Sequence, residues 1–174
     1  ILPLKNHQTI SSIMPMPDEN TDLKGMHIIF ATSKGKIRKN SLDDFTSINS
    51  SGKIAIKLDT EDKIIGVKIC RDDQDILLHT KKGKCIRFES KKLRVFKGRS
   101  SMGIRGINLQ NDDSVVSLSI IDAIDKKFNG KSKQDTKDEK DAKQNYILSI
   151  TENGYGKRTS QYDYRVINRG GKGI

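Results

Sequence analysis

The sequence has 174 residues, enough for one domain with its own core, and it carries a formal net charge of +11. Aromatic residues make up only 5% of the chain and Trp is absent, so Ile, Leu and Val must build the core. No apolar run approaches the roughly 18–20 residues of a membrane span, and the surplus of Lys and Arg indicates a polyanionic partner.

Cysteine and histidine form neither a metal motif nor a disulfide framework. Cys70 and Cys85 lie in separate strand-like segments without a CxxC motif, and His7, His27 and His79 have no HxxxH spacing. No paired carboxylates or nucleophile motif occur either. We therefore expect free thiols, no metal site and no catalytic residue in this chain.

Short strands follow one another along the chain, and no stretch shows a helical period. In the first part the predicted strands are Ile10–Met14, His27–Thr32, Ile37–Asn40 and Ile54–Leu58, separated by clusters of Gly, Ser, Asn and Asp. The same series returns in the next part. The sequence therefore predicts an all-β fold with about four strands per unit.

A Thr-x-x-Gly turn between an apolar strand and a basic strand occurs three times. The first two of its glycines, Gly35 and Gly83, are 48 residues apart, and Gly154 follows after 71, which is 48 plus 23. The excess falls on a Lys-rich polar stretch, 125–145, for which we predict a disordered insertion. A period of about fifty residues is typical of stacked units or propeller blades.

A second marker keeps nearly the same period. Leu58 and Leu109 are separated by 51 residues, and so are Ile64 and Val115. The approximate repeats are therefore 10–58, 64–109 and 115–174. We predict that they belong to one propeller-like domain; a small closed barrel is the alternative, but it does not explain the period.

Basic charge recurs at one phase of the repeat. Between His79 and Leu109 ten basic residues accompany one acid, Glu89, a balance of +9, and the balances around the first and third turns are +4 and +3. The acids gather at 59–62 and 111–113, in turns that we expect to be displaced from the basic surface. In a radial array the basic positions would form a continuous outer rim suited to a phosphate backbone.

Glycine-rich segments later in each repeat supply a second device. Residues 103–106 and 168–173 let the backbone approach a phosphate closely and offer free N–H groups. The rim and these segments together give the candidate DNA contacts. They are Arg38, Lys39, Lys53, Lys57, Arg87, Lys91, Lys92, Arg94, Arg99, Arg105, Lys157, Arg158, Arg169 and Lys172.

Several segments resemble the C-terminal DNA-wrapping domain of DNA gyrase A. Thr151–Thr159 followed by Arg169–Gly173 is similar to a late blade, Gly52–Leu58 to an earlier blade, and Gly103–Ile107 to the blade between. The family's hallmark box, Gln-Arg-Arg-Gly-Gly-Lys-Gly, is matched only in its last five positions, by Arg169–Gly173. We interpret that match as a diverged copy in a later blade.

The resemblance implies a six-bladed β-pinwheel, of which this chain holds about three blades. DNA would wrap on its outer rim and serve negative supercoiling by a type II topoisomerase, DNA gyrase. The implied partners are double-stranded DNA, gyrase B and a second copy of gyrase A in a heterotetramer, in the cytoplasm and associated with the nucleoid, with no membrane partner. No cofactor is implied for this chain, because ATP and Mg would be used elsewhere in the holoenzyme.

Two other functions stay open at this point. The C-terminal domain of topoisomerase IV has similar blades. A peptide- or protein-binding propeller is the other alternative, and it requires an apolar or aromatic face that a chain poor in aromatic residues hardly supplies.

Overall fold

A computed structural model describes residues 4–47, 49, 51–98, 100–124 and 145–174. The predicted insertion 125–145 lies outside these residues except for Asn145. In the described ranges the strands are β1 (Met26–Thr32), β2 (Lys36–Ser41), β3 (Ile64–Arg71), β4 (Gln74–Thr80), β5 (Cys85–Glu89), β6 (Ile104–Arg105), β7 (Val115–Asp122), β8 (Tyr146–Ile150) and β9 (Gly156–Ser160). Short 3₁₀ turns at Leu42–Phe45, Ser90–Lys92 and Gln161–Asp163 follow β2, β5 and β9.

The Thr-x-x-Gly motif closes three equivalent hairpins, β1–β2, β4–β5 and β8–β9. In each of them the glycine N–H donates to the threonine carbonyl at 3.0 Å, and the threonine hydroxyl accepts from the backbone N–H four residues on. The glycine has a φ of about +80°, which few other residues adopt without strain. Turn chemistry therefore explains why both residue types recur.

The hairpins are extended into antiparallel sheets of two, three and four strands. The sheet orders are β3-β1-β2-β6, β5-β4-β7 and β8-β9. β3 pairs with β1 and β7 pairs with β4, each with a register shift just before the threonine of the turn. β3 also packs against β7, so that a Cβ added to Gly66 would lie 3.0 Å from the Leu118 Cβ.

The strand predictions are confirmed for the hairpins and wrong at two other places. Ile10–Met14 and Ile54–Leu58 form no strand. Conversely, β3 begins at the β-branched pair Ile64-Ile65 and continues for eight residues, where the sequence analysis predicted no strand. The residues read as extended strands at 54–58 belong instead to a segment that leaves its own sheet.

Three crossing segments connect the repeats. The first crossing segment is 52–58, the second is 95–108 and the third is 166–174. The second lies on β2, through an Ile37–Ile104 pair and a Phe96 N–H donated to the Lys39 carbonyl at 2.8 Å. The third lies on β5 in the same way, with the Ile167 N–H donated to the Arg87 carbonyl at 2.9 Å.

The main core lies between the first two sheets. It is built from buried aliphatic residues of both hairpins, including Ile29, Ile37, Leu78 and Ile86, with Ile107 of the second crossing segment packed among them. Both cysteines are buried free thiols, and burial raises the pKa of the Cys85 thiol to about 12. Such thiols are inert at neutral pH, because the thiolate is the reactive form.

Candidate nucleic-acid interface

The crossing segments touch one another in a repeated way. The Lys57 N–H donates to the Ser101 carbonyl at 3.3 Å, and one repeat later the Asn108 N–H donates to the Gly171 carbonyl at 2.8 Å. The Gly170 N–H adds a bond to the Gly106 carbonyl at 2.6 Å. These contacts place the three crossing segments side by side in one continuous line.

Predicted DNA contacts are exposed along this line. Lys57, Arg94, Arg105, Arg169 and Lys172 all present their side chains to solvent. The Arg169 Nη1 donates to the Arg105 carbonyl at 3.1 Å, so residues of adjacent crossing segments lie within hydrogen-bond reach. The line therefore carries positive charge from one repeat to the next.

Two further exposed cations belong to the same surface and were missing from the predicted set. Lys97 lies in the second crossing segment, and Arg165 directly precedes the third. Arg165 occupies the position of Arg94 one repeat later, at a separation of 71 residues. The repeat spacing was the signal that could have identified it.

The prediction that Arg38, Lys39 and Arg87 contact DNA is wrong for this fold, because all three are at most 1% exposed. The Arg38 Nε donates to the Asn40 Oδ1 at 2.8 Å, and its Nη atoms donate to the Gly98 and Ser101 carbonyls. The guanidinium thereby holds the second crossing segment against β2.

Lys39 and Arg87 are also committed to internal acceptors. The Lys39 Nζ pairs with the Asp72 carboxylate and donates to the Ser90 carbonyl at 3.1 Å, and this pairing lowers the pKa of Asp72. Arg87 pairs with buried Asp75 and donates to the Gln161 carbonyl at 2.7 Å. Neither cation is free to meet a phosphate.

The remaining predicted contacts lie in several environments. Lys53 is half-buried, and its Nζ donates to the Asp44 and Ser47 carbonyls. Lys157 and Arg158 are exposed on β9, with the Arg158 guanidinium 4.5 Å from the centre of the Tyr146 ring. Arg99 lies outside the described residues.

The acidic turns are not displaced from the basic turns, contrary to the prediction. The Asp62 Oδ1 accepts from the Ser33 hydroxyl at 3.0 Å and the Lys34 N–H at 2.9 Å, and Asp113 accepts the Lys82 N–H at 3.0 Å. Each acid therefore caps the hairpin turn of its own repeat. The lysines of these turns lie beside carboxylates rather than on a purely basic surface.

The 3₁₀ turns carry different charges at equivalent positions. Lys91 and Lys92 stand where the first repeat has Asp43 and Asp44, a separation of 48 residues. Glu89 pairs with both lysines, and its hydrogen bond from Lys92 lowers the pKa of the carboxyl group. Positive charge is therefore concentrated in the middle repeat and is partly neutralised there.

A cavity of about 440 Å³ opens beside the second crossing segment. Lys34, Lys36 and Arg105 line it together with the backbone of Gly103. Lys36 also pairs with Asp59 at 3.4 Å. The cavity combines cations with a close-approaching glycine backbone, which is the combination expected of a phosphate site.

Other site types find little support in the part of the chain that the structure describes. No group of three or more His, Cys, Asp or Glu side chains there has the arrangement needed to hold a metal ion. No helix there is long and apolar enough to cross a membrane.

Comparison with known proteins identifies relatives by sequence. The family model described as DNA gyrase C-terminal domain, beta-propeller, matches residues 27–71, 74–122 and 145–174. DNA gyrase A of Rickettsia bellii (strain RML369-C) is 41% identical over 211 residues, which covers 100% of this chain and 22% of that protein. Its counterpart in Staphylococcus epidermidis (strain ATCC 12228) is 37% identical over 171 residues, covering 98% and 17%. The chain thus spans about a fifth of these relatives' length.

Solved structures show the same fold. The C-terminal domain of DNA topoisomerase IV superposes with a TM-score of 0.77 at 20% identity, covering 99% of this chain and 47% of that one. The DNA gyrase A C-terminal domain gives a TM-score of 0.67 at 25% identity, covering 98% and 53%. These likenesses confirm the predicted all-β, propeller-like fold. The three stretches matched by the family model cover most of the chain, and it belongs to the family of DNA gyrase C-terminal domains.

Proposed function

We propose that this chain binds duplex DNA by its phosphate backbone, along the line of crossing segments, without reading base sequence. The observation that carries the proposal is the repeated contact that aligns the three crossing segments, Lys57 to Ser101 and Asn108 to Gly171. It supports a continuous track on which exposed cations meet successive phosphates.

The secondary structure favours backbone contacts over base contacts. Direct readout of base edges commonly requires a helix or a β-ribbon in the major groove. The helical pieces among the described residues are 3₁₀ turns of three or four residues. Lys and Arg on loops position a protein on DNA without specifying sequence.

The exposed charge sets the expected strength of the interaction. With three buried cations removed from the predicted set, we expect about four to six phosphates to be neutralised. Counterion release then makes the logarithm of the binding constant fall with the logarithm of salt concentration, with a slope of about −0.9 per phosphate.

We further propose that the bound DNA is wrapped with a fixed hand and that wrapping serves negative supercoiling. The same backbone contact relates successive crossing segments, so a DNA segment following them would turn by the same angle at each repeat. The relatives are DNA gyrase A proteins. The work of a whole gyrase, with gyrase B and a second copy of gyrase A, is part of this proposal.

Gyrase is favoured over topoisomerase IV for this chain. The likeness to the topoisomerase IV domain is at 20% identity and concerns the fold. The relatives at 37% and 41% identity are gyrase proteins.

A salt titration tests DNA binding. Affinity for a duplex of about 30 base pairs would be measured by fluorescence anisotropy at several salt concentrations, for one sequence and for scrambled versions of it. We expect a steep salt slope and similar affinities for all sequences. A flat salt response, or a preference of more than about tenfold for one sequence, would contradict the proposal.

Wrapping has its own test. Nicked plasmid would be ligated with the protein bound, and the linking number of the deproteinised circles would be measured. A shift of one sign that grows with protein concentration supports chiral wrapping. Binding with no shift in linking number rules wrapping out and leaves the binding proposal standing.

A further inference from the structure

The three hairpins are not equally covered. The β1–β2 hairpin has β3 on one side and the second crossing segment on the other, and the β4–β5 hairpin has β7 and the third crossing segment. Within the described ranges, β8 pairs with β9 and with no third strand. This hairpin therefore lacks both of the elements that complete the other two.

The open hairpin exposes apolar side chains. Leu148 and Ile150 of β8 are 66% and 68% exposed, whereas the strand residues of β1 and β4 at the sheet centres are buried. A groove of about 840 Å³ runs along β8, lined by Ile147, Leu148 and Ile150 together with Val116 of β7. It lies beside the strand that, in the other sheets, carries the third strand.

The first crossing segment is unpaired in the complementary sense. Gly52 to Leu58 repeats Gly103 to Leu109 at a separation of 51 residues, and Gly52 shares the left-handed backbone of Gly103, with φ of +80° and +82°. In the part of the chain that the structure describes, it lies on no strand, and its Ile54 is 73% exposed.

Residues 10–17 repeat the start of β3 and β7 without pairing. Leu4 precedes Ile10 by six residues, as Leu58 precedes Ile64. The third residue of each series is small, as Ser12 and Gly66 show, and Ile13 is 84% exposed.

The surroundings of this segment resemble those of a third strand. Met14 packs on the cluster that contains Ile64 and Val67 of β3, just as β3 packs against β7. Pro15 and Pro17 are two residues apart, so they remove N–H groups from only one side of a strand, which an edge strand tolerates.

We propose that two copies of this chain associate head to tail. Residues 10–17 of one copy pair with the free edge of β8 of the other, and its first crossing segment lies on β9, as the second crossing segment lies on β2. Arg158 holds the position of Arg38 and Arg87 and would donate to carbonyls of the incoming segment. The contact is heterologous, so it either closes a two-fold dimer or continues as a chain.

The proposal commits to a second copy because one molecule carries both halves of the contact. The missing elements of the β8–β9 sheet are the same two elements that are left unpaired near the other end of the three-hairpin array. The same interface already occurs twice within the chain, on β2 and on β5.

Sedimentation velocity over a hundredfold range of concentration would measure association. The donor-defective variant is Ile54→Asp, the acceptor-defective variant is Leu148→Asp, and Leu4→Asp is the control, since Leu4 is also exposed, at 48%, but lies in neither element. Circular dichroism and thermal unfolding check that each variant folds. We expect the wild type and the control to associate, and each defective variant to weaken association by at least about tenfold.

Mixing the two defective variants decides the geometry. Each variant keeps the half that the other lacks, so the mixture should form a one-to-one complex although neither variant associates alone. A wild type that stays monomeric overturns the proposal. So does an Ile54→Asp variant that associates like the wild type, which would point to a contact of β8 with β8, and so does a mixture that forms no complex.

Discussion

The Arg87 guanidinium and the Asp75 carboxylate form an ion pair that is closed off from solvent. The Nε–Oδ2 and Nη2–Oδ2 distances are both 2.8 Å, and the two side chains are 0% and 1% exposed. Arg87 donates in addition to the Gln161 and Asp122 carbonyls at 2.7 and 2.9 Å. This one side chain ties β5 to β4, to the end of β7 and to the third repeat.

Removing Arg87 should destabilise the fold strongly. Arg87→Ala leaves the Asp75 carboxylate buried without its partner, and breaking a buried pair in this way costs about 3–5 kcal/mol. Urea unfolding followed by circular dichroism would measure the loss. Arg158→Ala is the matched control at the equivalent but exposed position, and it should change the free energy of unfolding by less than about 0.5 kcal/mol. Equal losses in both variants would contradict the assignment.

The Arg87→Ala variant should also respond to pH. Burial already raises the pKa of Asp75, and the loss of Arg87 removes the charge that opposes this rise. A carboxyl whose folded pKa lies above its unfolded value stabilises the fold at low pH and loses that contribution as pH rises through the folded pKa. The variant should therefore lose stability, relative to wild type, as pH rises from about 4 towards neutrality. A parallel pH dependence of both proteins would count against a buried carboxyl.

The acid that caps each hairpin turn gives a second prediction. The Asp62 Oδ1 accepts from the Ser33 hydroxyl and from the Lys34 and Lys63 N–H groups at 2.9–3.0 Å. Asp62→Ala leaves these donors without their acceptor and should cost about 1–3 kcal/mol, measured by thermal or urea unfolding. Glu61→Ala alters the neighbouring exposed acid and should have a much smaller effect. If both substitutions cost the same, the capping role is wrong.

Sequence reasoning reached the hairpins because their cause is local. The threonine hydroxyl and the glycine backbone act within four residues, so Thr32 and Gly35 mark the turn wherever they recur. β3 was missed because its first residues were treated as part of a turn marker. The crossing segment at 54–58 was read as a strand because an alternating pattern does not show on which sheet a segment will lie.

The candidate site was predicted less well, since burial of a charge depends on distant chain segments. Arg38 and Arg87 look like surface cations in the sequence, yet the crossing segments that cover them come about sixty residues or more later. Their place between apolar strand residues was the available signal. Lys57, Arg105 and Arg169 were predicted correctly as exposed cations, because glycine-rich segments keep the backbone near the surface.

Glu89 should act as a brake on DNA binding. Its carboxylate pairs with Lys91 and Lys92, whose hydrogen bonds lower its pKa. Glu89→Gln removes the negative charge and should tighten DNA binding several-fold at moderate salt, in an anisotropy titration. In the wild type the same gain should appear only as pH falls through the lowered pKa, below about 4.3, where the carboxylate becomes protonated. Glu152→Gln, an exposed acid on the β8–β9 turn, is the control, and an equal gain there would remove the special role of Glu89.

Gly103 should be far less replaceable than Gly83. Both have φ near +81°, where an L side chain costs about 1–2 kcal/mol. A Cβ at Gly103 would also lie 2.5 Å from the Ile37 carbonyl oxygen, whereas nothing lies within 4 Å of one at Gly83. Gly103→Ala should therefore displace the second crossing segment from β2 and destabilise the fold by more than Gly83→Ala does. Similar unfolding midpoints for the two variants would show that this segment is not held where the structure has it.

The middle repeat should dominate DNA affinity. Lys91, Lys92 and Arg94 are exposed beside the second crossing segment, where the first repeat has two acids in the 3₁₀ turn. Replacing the three by Gln removes up to three phosphate contacts. Affinity at moderate salt should fall by at least about tenfold, and the salt slope should flatten by about two to three units.

A charge-matched variant separates a patterned surface from net charge. Lys63, Lys68 and Arg71 are also exposed, but Lys68 and Arg71 lie on β3 and Lys63 directly precedes it, at the edge of the sheet opposite the second crossing segment. Replacing them by Gln removes the same formal charge from a surface that the proposed DNA track does not include. Exposed charges alter stability by less than about 0.5 kcal/mol, so both variants should unfold like the wild type. If both lose affinity equally, net charge explains the binding and the crossing segments are not the track. If only the first loses it, the phosphates follow the line from Lys57 to Lys172.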